Sequence, residues 1–166
     1  MPKILAYLVV LVLIASCKDP VSETAEAQGS GWEIVVDSLP AKSPVNSKAQ
    51  LLLSDWKEYV AVERSFDKLY TTEFREDFVL IMEELIENQK KMEDSVYPAS
   101  LDIPQIKSRQ KVFKTFILKT KGDLEYRQNP KESIIQMIVA FNNLRDQVNV
   151  VVNNTLLEEL RANEEN

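Results

Sequence analysis

Apolar residues recur at spacings of three and four over four long stretches of the chain, and this pattern restricts its fold more than any other feature. Such spacing places apolar side chains on one face of an α-helix. Prolines at positions 98 and 130 interrupt the pattern, whereas Pro104 stands where the first turn of a helix tolerates proline. We therefore predict an all-α domain over residues 47–163, an antiparallel four-helix bundle joined by short loops. The predicted helices cover residues 47–70, 72–97, 104–128 and 131–161.

The composition excludes several kinds of active site. The chain has no His and one Cys, so it can hold neither a Ser-His-Asp or Cys-His catalytic group nor an internal disulfide. A di-iron carboxylate bundle also requires His. Only three Gly occur, too few for a phosphate-binding loop. We therefore expect a protein that is not an enzyme and has no metal centre. Weak cation binding by acids of the second helix stays open: Glu83, Glu84, Glu87, Glu93 and Asp94.

An apolar run precedes the single Cys. Met1-Pro2-Lys3 forms a short positively charged start, and residues 4–15 (ILAYLVVLVLIA) are apolar throughout. A helix of that length spans about 18 Å, whereas the hydrocarbon core of a bilayer is about 30 Å thick. The run is too short to cross a membrane and is typical of the apolar part of a signal peptide.

The residues that follow the run resemble the lipobox of bacterial lipoproteins. Ile14-Ala15-Ser16-Cys17 is an aliphatic residue and two small residues before Cys. The resemblance covers residues 1–17. It implies that signal peptide 1–16 is removed, that the Cys17 thiol carries diacylglycerol, and that the new N-terminus receives an acyl chain. These chains would anchor the protein to a membrane durably, and we expect no other cofactor. An ordinary signal peptide with an incidental Cys and an uncleaved signal anchor are the open alternatives.

The residue after Cys17 bears on localisation within the bacterial cell envelope. By the sorting rule of enteric lipoproteins, Lys18 at this position, rather than Asp, indicates the outer membrane rather than the inner one. Charged residues just after the Cys, here Lys18-Asp19, also accompany export to the cell surface in some bacteria. The periplasmic and the surface-facing sides both stay open.

Residues 17–46 join this N-terminus to the helical domain. Positions 18–31 (KDPVSETAEAQGSG) are small and polar, which is typical of a flexible tether reaching on the order of 20 Å. Residues 32–39 then alternate apolar and polar side chains like a short strand. A lone strand has no partner in a helical chain, so we expect this segment to pack on the domain or to dock a partner.

Four polar residues interrupt the apolar faces. Arg145, Gln89 and Gln110 fall at similar heights when residues are counted from the loops, and Glu63 falls roughly two turns away. A buried Arg is costly without acceptors, so we expect a hydrogen-bonded polar layer that fixes helix register. A small ligand pocket is the alternative.

A basic stripe follows the third helix. Lys107, Lys111, Lys114 and Lys121 lie within about 80° of one another at 100° per residue. We expect these lysines to pair with acids of a neighbouring helix, and contact with anionic lipid head groups is the alternative.

These features predict a lipid-anchored envelope protein whose non-catalytic helical bundle binds or spaces an envelope component. Its partners would be the membrane, reached through the anchor, and an unidentified envelope protein or lipid head groups. The net charge is -6, or -7 without residues 1–16, which argues against nucleic acid as a partner. The alternative is a ligand- or cation-sensing lipoprotein that uses the polar layer.

Overall fold

Five α-helices and three single-turn 3₁₀ segments make up most of the described chain. A computed structural model describes the backbone of residues 36–164 and the side chains of Val36 and residues 38–154. This part of the chain contains no β-strand, which confirms the all-α prediction for it. The helices are α1 (Ser47–Asp55), α2 (Lys57–Asp67), α3 (Arg75–Asp94), α4 (Pro104–Glu125) and α5 (Lys131–Glu164). The 3₁₀ segments are Val36–Ser38, Lys68–Tyr70 and Ala99–Leu101.

Several predictions concern residues outside this range. The signal peptide, Cys17, the tether and residues 32–35 of the strand-like segment are not among the described residues. The remainder of that segment forms the 3₁₀ turn Val36–Ser38, followed by Leu39, which packs against the core.

The prediction of one continuous helix over residues 47–70 is wrong. The chain forms two helices there, α1 and α2, which meet at Trp56. Leu53 and Val62 are both fully buried, but nine residues of continuous α-helix would place them about 180° apart. The extended backbone of Trp56 (φ -91°, ψ 93°) changes the direction of the chain and allows both faces to reach the core. The Trp56 indole N–H donates to Ser95 Oγ at 2.9 Å, which holds the break in place.

The helix ends follow local sequence signals. Asn46 caps α1 by accepting a hydrogen bond from the Ala49 amide at 2.8 Å, and Pro104 occupies the first turn of α4. The chain leaves α4 through Arg127, whose φ of 53° lies in the left-handed region.

A single apolar core lies between the helices. Helix α2 packs on α3, α3 on α4, α4 on α5, and α1 on α5. Phe141 lies at the centre, with ring centroids 4.2 Å from Phe66 and 4.9 Å from Phe113. Within the described residues, no helix is both long and apolar enough to cross a membrane.

Candidate functional site

An extended segment before α1, residues 39–46, lies along α5, and we call it the strap. Asn142 bonds the strap twice, since its side-chain oxygen accepts from the Ser43 amide (2.8 Å) and its side-chain nitrogen donates to the Ala41 carbonyl (2.9 Å). Asn149 repeats this arrangement with the Asn46 amide (2.9 Å) and the Pro44 carbonyl (3.1 Å). Two asparagine side chains on α5 thus satisfy the backbone of an extended segment as a neighbouring strand would.

Arg145 lies between these two asparagines and is 4% exposed. Its Nε–H donates to the Ser43 carbonyl at 2.6 Å, and Nη1 donates to the Tyr59 hydroxyl at 2.7 Å and to the Glu63 carboxylate. The charge of a buried guanidinium is therefore neutralised by one carboxylate and solvated by two further oxygens. Arg145 joins α5 to the strap and to α2.

The same carboxylate also reaches solvent-facing groups. Lys42 of the strap donates to Glu63 at 3.2 Å and to Asp67 at 2.6 Å. Glu63 is only partly buried, so the network runs from the buried Arg145 outward to exposed Asp67. Two cations and two carboxylates balance one another along this path.

Burial also perturbs two tyrosines at this network. It raises the pKa of Tyr59 above its ordinary range, although nearby Arg145 acts in the opposite direction. Burial, together with the charge of Asp67, raises the pKa of Tyr70 to about 12. The Tyr70 hydroxyl donates to the Pro40 carbonyl at 2.8 Å. Because the pKa of each tyrosine is raised, both phenols stay protonated at neutral pH and serve as structural hydrogen-bonding groups.

Of the four polar residues expected in one layer, only Arg145 and Glu63 are hydrogen-bonded to each other. Arg145 and Glu63 form the network described above, whereas Gln89 and Gln110 make no hydrogen bond to either of them. Gln110 accepts from the Tyr97 hydroxyl, whose pKa is raised chiefly by burial, and its side-chain nitrogen has no partner. A single hydrogen-bonded layer through all four side chains is therefore not formed.

Gln89 is the one described side chain that buries two polar atoms without a hydrogen-bond partner for either of them. It is 1% exposed, and neither its side-chain nitrogen nor its oxygen has a hydrogen-bond partner. Gln89 lines a cleft of about 300 Å³ at the junction of α3 and α4. Gln110 lies elsewhere, on a second cleft of about 440 Å³ that also includes Tyr97 and Lys111.

Three of the four stripe lysines form ion pairs. Two of the pairs join α4 to α3, and Lys107 also lies 5.2 Å from the centre of the Tyr97 ring. Lys111 is exposed and makes no ion pair within the described part of the chain. The pairs are Lys107–Asp102, Lys114–Glu93, Lys121–Glu83 (3.9 Å) and Lys121–Glu125 (3.5 Å).

The acidic residues of α3 are the candidates for weak cation binding. Among the described side chains, no group of three His, Cys, Asp or Glu residues could hold a metal ion. Hydrogen bonding from Lys68 lowers the pKa of Glu84, which ties one α3 acid to a lysine.

The asparagines that bind the strap are not among the predicted site residues, although the sequence contains a signal for them. Asn142, Arg145, Asn149 and Asn153 are spaced by three, four and four residues and therefore share one face of α5. Asn153 extends the row by accepting from the Asn46 side chain at 3.2 Å. A polar row beside an apolar stripe indicates a polar neighbour, but nothing in the sequence identified residues 39–46 as that neighbour.

Comparison of the chain with protein-family models, with curated proteins and with solved structures finds no match.

Proposed function

We propose that this chain is a bacterial envelope lipoprotein, anchored through acylated Cys17, whose helical domain is a non-catalytic binding or spacer module. The observation that carries the proposal is the lipobox-like Ile14-Ala15-Ser16-Cys17 after an apolar run too short to span a bilayer. The polar tether at residues 18–31 supports it, because such a segment would separate the domain from the membrane surface.

The strap supports the spacer role. The tether enters the domain through residues 36–46, and Asn142 and Asn149 hold this segment on α5 by four hydrogen bonds. A pulling force on the tether would therefore be transmitted to α5, the longest described helix, before the force reached α1. A spacer needs such an attachment, since an anchored domain is displaced relative to its membrane by thermal motion and by its partners.

We further propose that the helices form an antiparallel four-helix bundle in which α1 and α2 together take the place of one interrupted helix. The order of the interhelical pairs supports opposite directions for α3 and α4, because Glu83 meets Lys121 whereas Glu93 meets Lys114. The same pairs favour a structural role for the lysine stripe over lipid contact, although Lys111 forms no ion pair with any residue that the structure describes.

Replacement of Cys17 tests the anchor. After carbonate extraction, the Cys17→Ser protein should be absent from the membrane pellet, or it should remain in the pellet with its signal peptide uncleaved. The mass of the protein separates these two outcomes. Membrane-bound mature protein starting at residue 17 in the variant would contradict the proposal. Lys18→Asp should move the protein from outer-membrane to inner-membrane fractions, and an unchanged distribution would contradict the outer-membrane assignment.

A second candidate function is a ligand-sensing lipoprotein. The specific observation in its favour is Gln89, a buried amide without hydrogen-bond partners beside a cleft. Polar groups left unpaired in the interior are costly, and binding sites are among the places where proteins retain them.

A further inference from the structure

The cleft between α3 and α4 combines an unsatisfied buried amide with an apolar wall. Both polar atoms of the Gln89 side chain lie below the surface without hydrogen-bond partners. A group that pairs with this amide must offer one donor and one acceptor, because the amide presents one of each on the same edge. Pairing would recover the hydrogen bonds that the folded chain leaves unmade.

The wall of the cleft defines the body of a matching ligand. Ile86, Ile117 and Leu118 line it, and no aromatic ring is among its lining residues. Leu118 is 49% exposed, so part of this apolar surface is open to a ligand from solvent. The shape and chemistry therefore suit a short aliphatic chain rather than a ring that stacks. A volume of about 300 Å³ suits a small molecule, at the lower end for ligand pockets.

The charges around the cleft balance. Two lysines and two acids line it, Lys90 and Lys114 with Glu93 and Asp94, and the Lys114–Glu93 ion pair already uses one charge of each sign. A charged ligand would find no net opposite charge and would lose hydration on entry. The rim therefore favours a neutral ligand.

We propose that this cleft binds a small neutral primary carboxamide with an aliphatic chain. Because both polar atoms of Gln89 are buried in the free protein, the side chain turns toward the cleft when the ligand binds. Its N–H then donates to the ligand carbonyl oxygen, and its carbonyl oxygen accepts from the ligand N–H. This two-bond pairing requires an N–H on the same side as the C=O. A primary amide has that geometry, whereas a trans peptide bond does not. The site lies within the helical domain and does not depend on the proposed anchor at Cys17.

Three probes of equal chain length test the site on the full-length protein in detergent micelles. Hexanamide carries the amide, hexanol is neutral but lacks it, and hexanoate replaces it with a charge. Titration followed by ¹H–¹⁵N spectra should shift the Gln89 side-chain amide signals and backbone amides near Ile117 with hexanamide. Hexanol and hexanoate should bind at least about tenfold more weakly.

Two isosteric variants separate the site from general partitioning into the core or the micelle. Gln89→Met should weaken hexanamide binding at least about tenfold while raising or preserving the melting temperature, because it removes an unpaired buried amide. Gln110→Met, which alters a buried glutamine outside this cleft, should leave hexanamide binding unchanged.

Two results would overturn the proposal. The first is that hexanamide and hexanol shift the ¹H–¹⁵N signals of the wild-type protein equally, or that hexanamide does not shift these signals at all. The second is a Gln89→Met variant that is folded and still binds hexanamide as the wild type does.

Discussion

The Arg145 guanidinium donates a hydrogen bond to the Glu63 carboxylate and so connects α5 to α2 beneath the strap. The two side chains differ in burial, because the side chain of Arg145 is 5% exposed and that of Glu63 is 18% exposed. They also differ in their other partners, since Glu63 is paired with a second cation, Lys42, at 3.2 Å. Arg145 has no second carboxylate among its described partners.

The first prediction is that the two ends of this ion pair are unequal in their effect on stability. Glu63→Leu should lower the free energy of unfolding by about 3 kcal/mol, because it leaves a buried guanidinium without its counter-charge. Arg145→Met should cost less, about 1–2 kcal/mol, because Glu63 retains Lys42 and partial hydration. Urea unfolding of both variants measures the difference. A larger loss in Arg145→Met than in Glu63→Leu would contradict this account of the pair.

The second prediction concerns the strap. Asn142→Ala and Asn149→Ala each remove two hydrogen bonds to strap backbone, so each should cost about 1–2 kcal/mol of unfolding free energy. Asn142→Ala should also speed hydrogen exchange at the Ser43 amide, and Asn149→Ala at the Asn46 amide. Asn143→Ala, which changes an exposed neighbour on α5, is the matched control and should leave both amides protected.

The third prediction is a loss of stability at alkaline pH. The pKa of Tyr70 is raised from its ordinary value of 10.0 to about 12 in the folded chain. The unfolded state therefore loses this proton first, so the stabilisation is complete below pH 10 and is lost as the pH rises toward 12. The urea midpoint of the wild type should fall over this window. Tyr70→Phe should be less stable at neutral pH but show a shallower fall, and parallel pH profiles would disagree with this assignment.

The fourth prediction concerns acid. The hydrogen bond from Lys68 lowers the pKa of Glu84 below its ordinary value of 4.5. A carboxyl group with a lowered pKa stabilises the fold at pH values above its pKa in the unfolded state. This stabilisation disappears as the pH falls through the pKa of the same group in the folded state. Lys68→Met should therefore be slightly less stable than the wild type at pH 7, by at most about 1 kcal/mol for so exposed a pair. The two proteins should converge in stability at low pH, and a gap that persists there would exclude the ion pair as its source.

The positions of most helices could be predicted from the sequence, because apolar spacing and proline act locally. The break at Trp56 could not, although its cause is present in the sequence. Leu53, Trp56, Tyr59 and Val62 follow one another at intervals of three, and each interval falls about 60° short of a full turn. A continuous helix would carry this row around to its opposite side, so the chain breaks to bury both ends.

The polar residues show a second limit of sequence reasoning. Arg145 and Glu63 were each recognised as polar members of apolar stripes, but counting from the loops placed them two turns apart. Counting residues from the loops gives the heights of backbone positions only. Two long side chains can bridge adjacent turns, and the 3₁₀ turn Lys68–Tyr70 has a different rise per residue from an α-helix. The contacts of the strap with Asn142, Arg145 and Asn149 could not be predicted for a different reason, since they use backbone groups of the strap that every sequence contains.

We propose, as the central point, that Cys17 is the first residue of a lipid-anchored protein. The most direct measurement is the mass of the N-terminal peptide released from the membrane-bound protein by cleavage after Glu23. We predict a peptide covering residues 17–23 that carries a diacylglycerol and an acyl chain on Cys17. A peptide that begins before residue 17, or an unmodified Cys17 in the membrane fraction, would contradict the claim.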